Sequence, residues 1–174
     1  FYLKAKHKYD KRENTDDTEI ARGLLQKAIE LDDNLLLAKN LLGTSYREMG
    51  DYDEAMKIYT PTLKQAEKLS DKTGIGLSLH NIGGVHYYKG DYNKALDYYG
   101  RSLTIKENLG DKLGMASSLH NIGLIYRNRG DCDKALDYYD RALPIFEEIG
   151  DKLGMANSLN NIGIVHTKKG DVGK

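Results

Sequence analysis

The sequence predicts an all-α protein built as a solenoid of antiparallel helix pairs, and three observations support this prediction. First, the segments SLHNIG, SLHNIG and SLNNIG begin at residues 78, 118 and 158, so they recur every 40 residues. Second, apolar residues within each unit recur at three- and four-residue steps, which is typical of amphipathic helices. Third, Gly-Asp pairs divide the units, because glycine can end one helix and aspartate can cap the next.

The repeat divides the chain into successive parts. We expect a partial or diverged repeat at 1–34 with its second helix at about 18–31, repeats at 35–70, 71–110 and 111–150, and a truncated repeat at 151–174 that holds a first helix only. Residues 1–17 could be a repeat helix or a frayed leader. The chain begins with Phe1 and stops where another unit should start, so we expect it to be a piece of a longer protein.

Glycines have two expected roles in each unit. Gly50, Gly90, Gly130 and Gly170 should end first helices in the left-handed conformation. Ser70 stands where the corresponding joints have Gly110 and Gly150, so we expect a looser turn there. Inside the first helices, Gly43, Gly83, Gly123 and Gly163 should let the backbone approach Ala55, Ala95 and Ala135 of the second helices. A mid-helix glycine costs about 1 kcal/mol relative to alanine, so this recurrence needs a packing reason.

Composition excludes several classes of partner and site. Lys plus Arg and Asp plus Glu are equal at 26 each, so no overall field favours nucleic acid or an anionic membrane surface. No apolar run approaches the roughly 20 residues that cross a bilayer. The single cysteine, Cys132, excludes an internal disulfide and favours a reducing compartment, so we expect a cytoplasmic location.

Catalytic and metal sites find no support in the sequence. There is no phosphate-binding glycine loop followed by Lys-Ser/Thr, and no nucleophile with a base in a pocket. His80 and His120 could bind a metal if their helices were close, but no Cys or carboxylate joins them at ligand spacing. We therefore expect no enzyme activity, cofactor or metal in this chain.

The repeat resembles a known family. Leu42, Gly43, Tyr46, Ala55 and Tyr59 match the tetratricopeptide repeat signature, and the same positions recur at Ile122, Gly123, Tyr126, Ala135 and Tyr139. The 40-residue period is similar to that of kinesin light chains, of adaptors for G-protein α subunits and of bacterial signalling proteins. This resemblance implies a right-handed superhelix in which the first helices line a concave groove.

The same resemblance implies which residues face that groove. From these positions we select a ligand-binding set: Asn40, His80, Asn81, Tyr87, Tyr88, His120, Asn121, Arg127, Asn128, Asn160, Asn161 and Lys168. An amide can donate to and accept from the backbone of an extended peptide, which would explain the repeated Asn. The alternative is structural, with the Asn side chains bonding only to neighbouring helices. The cation positions of the family's carboxylate clamp hold His, Asn, Leu or Ser here, which argues against a chaperone-tail ligand.

The predicted function is a protein–protein interaction scaffold that binds a peptide or protein segment in the groove, within a larger signalling or adaptor protein. The alternative is a structural spacer or self-association module that regulates a catalytic domain outside this chain. A homodimer could form through the C-terminal edge, where the last first helix would lack a partner.

Overall fold

The computed structural model describes residues 1–172, and within this range it contains helices and no strand. In chain order the helices are α1 (Tyr2–Asp10), α2 (Thr15–Leu31), α3 (Leu36–Glu48), α4 (Tyr52–Lys68), α5 (Lys72–Tyr88), α6 (Tyr92–Leu109), α7 (Lys112–Arg129), α8 (Cys132–Glu148) and α9 (Lys152–Val172). The all-α class predicted from the repeat is confirmed. Residues 2–10 form a helix that packs against α2, so this part of the chain is not a frayed leader.

The joints between helices use the predicted glycines. Gly50, Gly90 and Gly130 have φ values of +86°, +78° and +81°, and Gly110 and Gly150 are also left-handed. At the joints that precede α5, α7 and α9, an aspartate caps the new helix: the Asp71, Asp111 and Asp151 carboxylates accept from backbone N–H groups three residues on, at 3.0–3.1 Å. These bonds satisfy donors that have no partner within the helix.

Ser70 does not loosen its joint, contrary to the expectation. It adopts φ +56°, and among the described residues it is the only non-glycine residue with a positive φ. The Ser70 and Asp71 N–H groups donate to the Glu67 and Ala66 carbonyls at 3.1 and 3.0 Å. The Gly110 joint has the same two bonds, at 3.1 and 3.0 Å. The turn is therefore complete, and serine is held in a backbone conformation that glycine adopts more readily.

The predicted helix end at Gly170 is wrong. Helix α9 runs through Gly170 to Val172 without a left-handed residue. After α3 and α7, the left-handed turn is followed by a second helix that packs back against the first. No such helix follows α9 within the described residues, so nothing there draws the chain out of the helical conformation.

The helices form two compact units, residues 1–89 and 90–174. In unit 1, α1 to α4 enclose a cluster of Ala5, Leu25, Ala38 and Leu42. Arg22 of α2 is also buried there, and its guanidinium donates to the Ser45 side chain at 2.9 Å and the Ser45 carbonyl at 2.8 Å. In unit 2, α7 to α9 bury Ala135, Tyr139 and Val165.

The glycines inside first helices contact aromatic rings. A Cβ added at Gly123 would lie 2.6 Å from Tyr139 Cε1, and at Gly43 it would likewise collide with the Tyr59 ring. The nearest neighbour is therefore the tyrosine and not the expected Ala55 or Ala135, since the Cδ1, Cε1 and Cζ atoms of the ring approach the bare backbone. Gly163 has nothing within 4 Å of such a Cβ.

Candidate functional site

The predicted groove asparagines of unit 1 bond to one another between α3 and α5. Asn40 Nδ2 donates to the Leu36 carbonyl at 3.0 Å and to Ser78 Oγ at 3.1 Å. Asn81 Nδ2 donates to Asn40 Oδ1 at 3.0 Å. Asn40 and Asn81 are buried, with 1% and 6% of their surface exposed. In this unit the amides therefore connect neighbouring first helices, which is the structural role that the sequence left open.

An aromatic and cationic cluster lies further along the same helices of unit 1. Tyr88 is 59% exposed, stacks on Tyr52 at 6.0 Å between ring centroids and meets Tyr87 edge-on at 5.3 Å. The Arg47 guanidinium lies 5.9 Å from the Tyr88 ring centroid, near the limit for a cation–π contact. Arg47 Nε is buried without a hydrogen-bond partner. The nearest α3 carboxylate, Glu48, is paired with Arg12 at 2.6 Å.

A matching polar network joins α7 and α9 in unit 2. His120 Nδ1 lies 3.0 Å from Ser158 Oγ, and its Nε2 lies 3.4 Å from Asn161 Nδ2. Asn161 Nδ2 also donates to the Asn157 carbonyl at 2.9 Å. Because an amide nitrogen only donates, Nε2 must accept, which places the imidazole proton on Nδ1 toward Ser158.

Burial keeps His120 neutral. Burial disfavours the imidazolium, and the nearby Arg127 charge adds to this, so the pKa of His120 falls to about 4. The ring also contacts two aromatic side chains of α8, with centroid distances of 5.4 Å to Tyr139 and 6.4 Å to Phe146. His120 is therefore a packed, hydrogen-bonded neutral side chain at neutral pH.

Basic and amide side chains lie beside this network on α7 and α9. Arg127 donates to the side-chain oxygens of Asn161 and Asn128, and makes no ion pair with any described residue. Asn160 and Lys168 of α9 are exposed. Helix α7 has no Asp or Glu, and α9 has none before residue 171. Up to residue 170, the two helices therefore carry cations and no carboxylate.

The twelve predicted residues thus fall into three groups. Asn40, Asn81 and Asn161 are buried; His80, Tyr87, His120, Asn121 and Arg127 are half-buried; Tyr88, Asn128, Asn160 and Lys168 are exposed. Sequence reasoning did not single out Ser78 and Ser158, which hold Asn40 and His120 in place. The signal was available, since both serines open the repeated six-residue segment.

Lys106 was also missed, and nothing in its spacing marks it as unusual. It is 6% exposed, and its Nζ donates to the Gly114 carbonyl and to Ser118 Oγ, both at 3.3 Å. Burial lowers the pKa of Lys106 to about 8, although Asp111 acts in the opposite direction. The equivalent positions in the neighbouring units are Ala66 and Phe146, both buried, so the lysine occupies a core position.

The described residues hold no cluster of three or more His, Cys, Asp or Glu side chains that could bind a metal ion. Among the described helices, none is both long and apolar enough to span a membrane.

Comparisons with known proteins identify the family. A family model described as tetratricopeptide repeat matches residues 34–108 and 114–174. A search of curated proteins finds no match to the sequence. The family model therefore covers most of the chain, on both sides of a short gap.

Solved structures share the fold at low sequence identity. Aspartyl phosphate phosphatase F from Bacillus subtilis has a TM-score of 0.81 at 19% identity, over 94% of this chain and 44% of its own. A Rap protein complexed with competence and sporulation factor has a TM-score of 0.74 at 18% identity, over 87% and 49%. A candidate kinesin light chain of Podospora anserina has 0.70 at 13% identity, over 98% and 85%. This chain thus spans less than half the length of the first two.

Proposed function

This chain belongs to the tetratricopeptide repeat family, and we propose that it is an interaction scaffold whose first-helix faces bind an acidic, extended peptide segment. Repeats of this family act as protein-interaction modules. The observation that carries the proposal is the charge of the α7 and α9 face in unit 2. Arg127 and Lys168 lie on this face, and neither forms an ion pair with a carboxylate of residues 1–170, while the second helix α8 carries five carboxylates.

The chemistry of this face fits a peptide better than a small molecule. Leu124 and Arg127 follow one another at helical spacing on α7, as do Ile164 and Lys168 on α9, so each face combines apolar and basic contacts. Ile164 is 38% exposed and Asn160 is exposed beside it. An extended segment would place alternate side chains on the apolar residues and its backbone against the exposed amides.

The buried asparagines have a different part in this proposal. Asn40, Asn81 and Asn161 already use their amides within the helix pairs, so they position the binding faces and do not contact the ligand. In unit 1 the exposed contact would come from Tyr88, supported by Tyr52 and with Arg47 beside it. The Rap structure that contains competence and sporulation factor supports the idea that a similar helix array holds a ligand.

The test uses the full chain and two pools of fluorescent 15-residue peptides. One pool alternates Asp or Glu with apolar residues, and the other replaces the acids with Lys. We expect the acidic pool to bind more tightly, with affinity that falls as salt rises. Arg127→Ala with Lys168→Ala should weaken acidic binding at least tenfold. The control is Lys72→Ala with Lys152→Ala, which removes the same charge from the first turns of α5 and α9 and should change the affinity less than twofold.

Equal losses in the two double variants would show a general charge effect and no specific face. Unchanged binding in the Arg127 and Lys168 variant would remove the proposal. An Asn81→Ala variant is unsuitable for this purpose, because it breaks a buried hydrogen bond and reports on folding.

A second function is favoured by one separate observation, the exposed side of α9. Leu159 is 52% exposed there, which would suit a spacer or self-association module with a homodimer at this edge. Light scattering across a concentration series separates the two, since a scaffold alone stays monomeric. We assign no catalysis to this chain, and a cytoplasmic location stays a prediction from its single cysteine.

A further inference from the structure

Unit 2 contains a cleft between the beginning of α6 and the end of α7. Its volume is about 340 Å³, and its lining residues are Gly90, Asp91, Tyr92, Asn93, Lys94 and Arg129. This volume lies near the lower limit for small-molecule sites, about 300–1,000 Å³. Asn93, Lys94 and Arg129 are exposed, so a ligand can reach them from solution. We call this space the α6–α7 cleft, and it does not include Arg127 or Lys168 of the proposed peptide-binding face.

Arg129 of this cleft contacts an amide where the equivalent cations contact a carboxylate. Its Nη2 group donates to Asn93 Oδ1 at 2.6 Å, and its guanidinium lies 5.9 Å from the Tyr92 ring centroid. It forms no ion pair with any residue that the structure describes. The two equivalent contacts are ion pairs: Lys89 with Asp53 at 2.9 Å, and Lys169 with Asp133 at 2.5 Å. The contact in the cleft therefore joins the same positions but leaves the arginine charge uncompensated.

Lys94 supplies a second cation, and it too has no ion pair among the described residues. Its equivalent in the next repeat, Lys134, pairs with Asp131 at 2.8 Å. Asp91 is the equivalent of Asp131 and also lines the cleft, so the lining residues carry two cations and one carboxylate. The cleft therefore has a net positive charge.

The equivalent cleft of unit 1, between α4 and α5, has the opposite charge. Its volume is about 390 Å³, and its lining residues are Gly50, Asp51, Tyr52, Asp53, Glu54 and Lys89. Three carboxylates and one cation line this cleft, and the cation is paired with Asp53. The two clefts are similar in size, so the difference in charge comes from Asn93 and Lys94, which replace Asp53 and Glu54. Unit 1 thus provides an internal control for unit 2.

We propose that the α6–α7 cleft binds the phosphate group of a phosphorylated side chain. Arg129 Nε and Nη1 and Lys94 Nζ have no hydrogen-bond partner among the described residues. The Asn93 amide nitrogen can also donate, because the amide oxygen is the atom that accepts from Arg129. A phosphate monoester has three strong acceptor oxygens and a charge of about −1.5 to −2 at pH 7, so it can bond to all three side chains. A carboxylate has two oxygens and a single charge, so it matches the three groups less well.

The size of the cleft indicates that a larger group carries the phosphate. The volume is that of a site for a small molecule and exceeds what one anion beside Arg129 and Lys94 would fill. The half-buried Tyr92 ring lines the cleft and offers an apolar wall for the carbon atoms next to the phosphate. A phosphorylated serine of a partner segment combines a dianion with a short carbon chain. Inorganic phosphate has a similar charge but makes no use of the ring.

The first probe is N-acetyl-phosphoserine N-methylamide, titrated into the full chain labelled with nitrogen-15. Backbone amide NMR shifts of residues 91–94 and 129–130 report on the cleft. We expect saturable shifts there, with an affinity at least tenfold higher than that for the unphosphorylated serine derivative or for acetate. Inorganic phosphate, the second probe, should shift the same residues with an affinity at least threefold lower, because it lacks the carbon atoms that contact the Tyr92 ring.

Asn93→Asp is the most direct variant, since it places in the cleft the carboxylate of the two equivalent contacts. An ion pair with Arg129 would then take the place of the ligand, so affinity for the phosphoserine derivative should fall at least tenfold. The matched control is Lys169→Ala, which removes one positive charge from the equivalent place on α9 and should change the affinity less than twofold. Arg127→Ala with Lys168→Ala should also change it less than twofold, so this proposal and the peptide-binding face can fail separately.

A triple variant of unit 1 tests whether the lining side chains are sufficient. Asp53→Asn, Glu54→Lys and Lys89→Arg give the α4–α5 cleft the side chains of the α6–α7 cleft, and all three positions are exposed. We expect new shifts at residues 51–54 when the phosphoserine derivative is added, and two binding sites in place of one. The wild type should show no shifts at these residues.

Each of the following results would overturn the proposal. Absence of saturable shifts at residues 91–94 would show that the cleft takes no phosphate group. Acetate binding as tightly as the phosphoserine derivative, or equal weakening by Asn93→Asp and Lys169→Ala, would show a general charge effect. Inorganic phosphate binding as tightly as the phosphoserine derivative would show that a phosphorylated side chain is not the ligand. A triple variant without new shifts would show that the lining side chains do not form the site.

Discussion

At the level of single residues, polar side chains between first helices hold each unit in register. The bonds among Asn40, Ser78 and Asn81 in unit 1 have a counterpart in those among His120, Ser158 and Asn161 in unit 2. A buried polar group that loses its partner costs about 1–3 kcal/mol, so these networks favour one alignment of the helices over a shifted one. The first residue of the network is Asn40 in unit 1 and His120 in unit 2, so only in unit 2 does this position make stability depend on pH.

The neutral His120 predicts lower stability in acid. Its pKa is about 4 in the folded chain and about 6.5 when unfolded, so between these values the unfolded state binds more protons. Stability should therefore fall as pH decreases through this window, by about 1–2 kcal/mol between pH 7 and pH 5. Urea unfolding at both pH values measures the change.

The matched variant is His120→Asn, which places there the residue that the chain itself has at positions 40 and 160. Its loss of stability between pH 7 and pH 5 should be smaller than that of the wild type. Parallel curves for the two proteins would contradict the role of His120, because the remaining carboxylates and histidines are common to both.

The buried Lys106 predicts that stability also depends on pH in the alkaline range. Its folded pKa of about 8 lies below the ordinary value of 10.5, so between these values the unfolded state binds more protons and stability rises with pH. At pH 7 the buried ammonium is a cost, and Lys106→Met should raise the free energy of unfolding by about 1–3 kcal/mol. The advantage of the variant should shrink at pH 10, as measured by chemical denaturation. An advantage that is constant with pH would mean that packing, and not charge burial, separates the two side chains.

The sequence predicts which residues take part in the recurring contacts better than it predicts whether those residues are exposed. The resemblance to the repeat family implies a groove position for Asn40, Asn81 and Asn161, but a position in the repeat does not distinguish a solvent face from the seam between first helices. Ser78 and Ser158 decide this, because each hydroxyl occupies the seam. Ser78 bonds to the Asn40 amide, and Ser158 bonds to the His120 imidazole. Lys106 could not be recognised, since a lysine among charged neighbours at the end of a helix resembles any solvated residue.

At the level of helices, close packing depends on missing side chains. The rings of Tyr59 and Tyr139 occupy the space that a Cβ would need at Gly43 and Gly123, so each second helix approaches its first helix closely at the glycine. The sequence predicted the glycine contact but assigned it to Ala55 and Ala135. The reason is that ring size, and not alanine spacing, determines which side chain reaches the bare backbone first.

Two alanine substitutions separate packing from helix propensity. In Gly123→Ala the new methyl group collides with the fully buried Tyr139 ring, so we expect a loss of about 1–3 kcal/mol despite the better helix former. In Gly163→Ala the space is open, so the propensity gain of about 0.5–1 kcal/mol should remain. Thermal and urea unfolding of both variants measures whether each substitution raises or lowers the free energy of unfolding. Stabilisation by both substitutions would show that the ring can move aside at little cost.

The joint at Ser70 gives a second prediction for the helices. The left-handed conformation costs an L-residue roughly 1–2 kcal/mol. Glycine avoids this cost, but it loses more conformational freedom on folding, which reduces the net gain. Because the two turn bonds are already formed, Ser70→Gly should stabilise the chain by about 1 kcal/mol. Ser70→Ala keeps the strain and serves as the control. If alanine stabilised as much as glycine, the serine hydroxyl and not the backbone would be responsible.

At the level of the whole molecule, a neutral net charge conceals an uneven distribution. Helices α5 and α7 contain no Asp or Glu, whereas α4, α6 and α8 all contain them. Exposed ion pairs such as Lys89 with Asp53, at 2.9 Å, connect the two kinds of helix within a unit. Such pairs contribute little stability, so stability does not require this separation of charge, and the proposed acidic ligand would make use of it.

The uneven coverage of the helices predicts where the molecule opens first. Helix contacts are local, between helices that are adjacent or next but one along the chain, and in such arrays each part is stabilised mainly by its neighbours. Helix α7 is packed against α6, α8 and α9, whereas α9 is packed against α7 and α8 and leaves Leu159 and Ile164 exposed. Amides of residues 155–168 should therefore exchange with deuterium at least tenfold faster than those of 115–128, as followed by mass spectrometry. Equal protection of α7 and α9 would mean that α9 opens only together with the rest of unit 2, so that its exposed residues cost the helix no local stability.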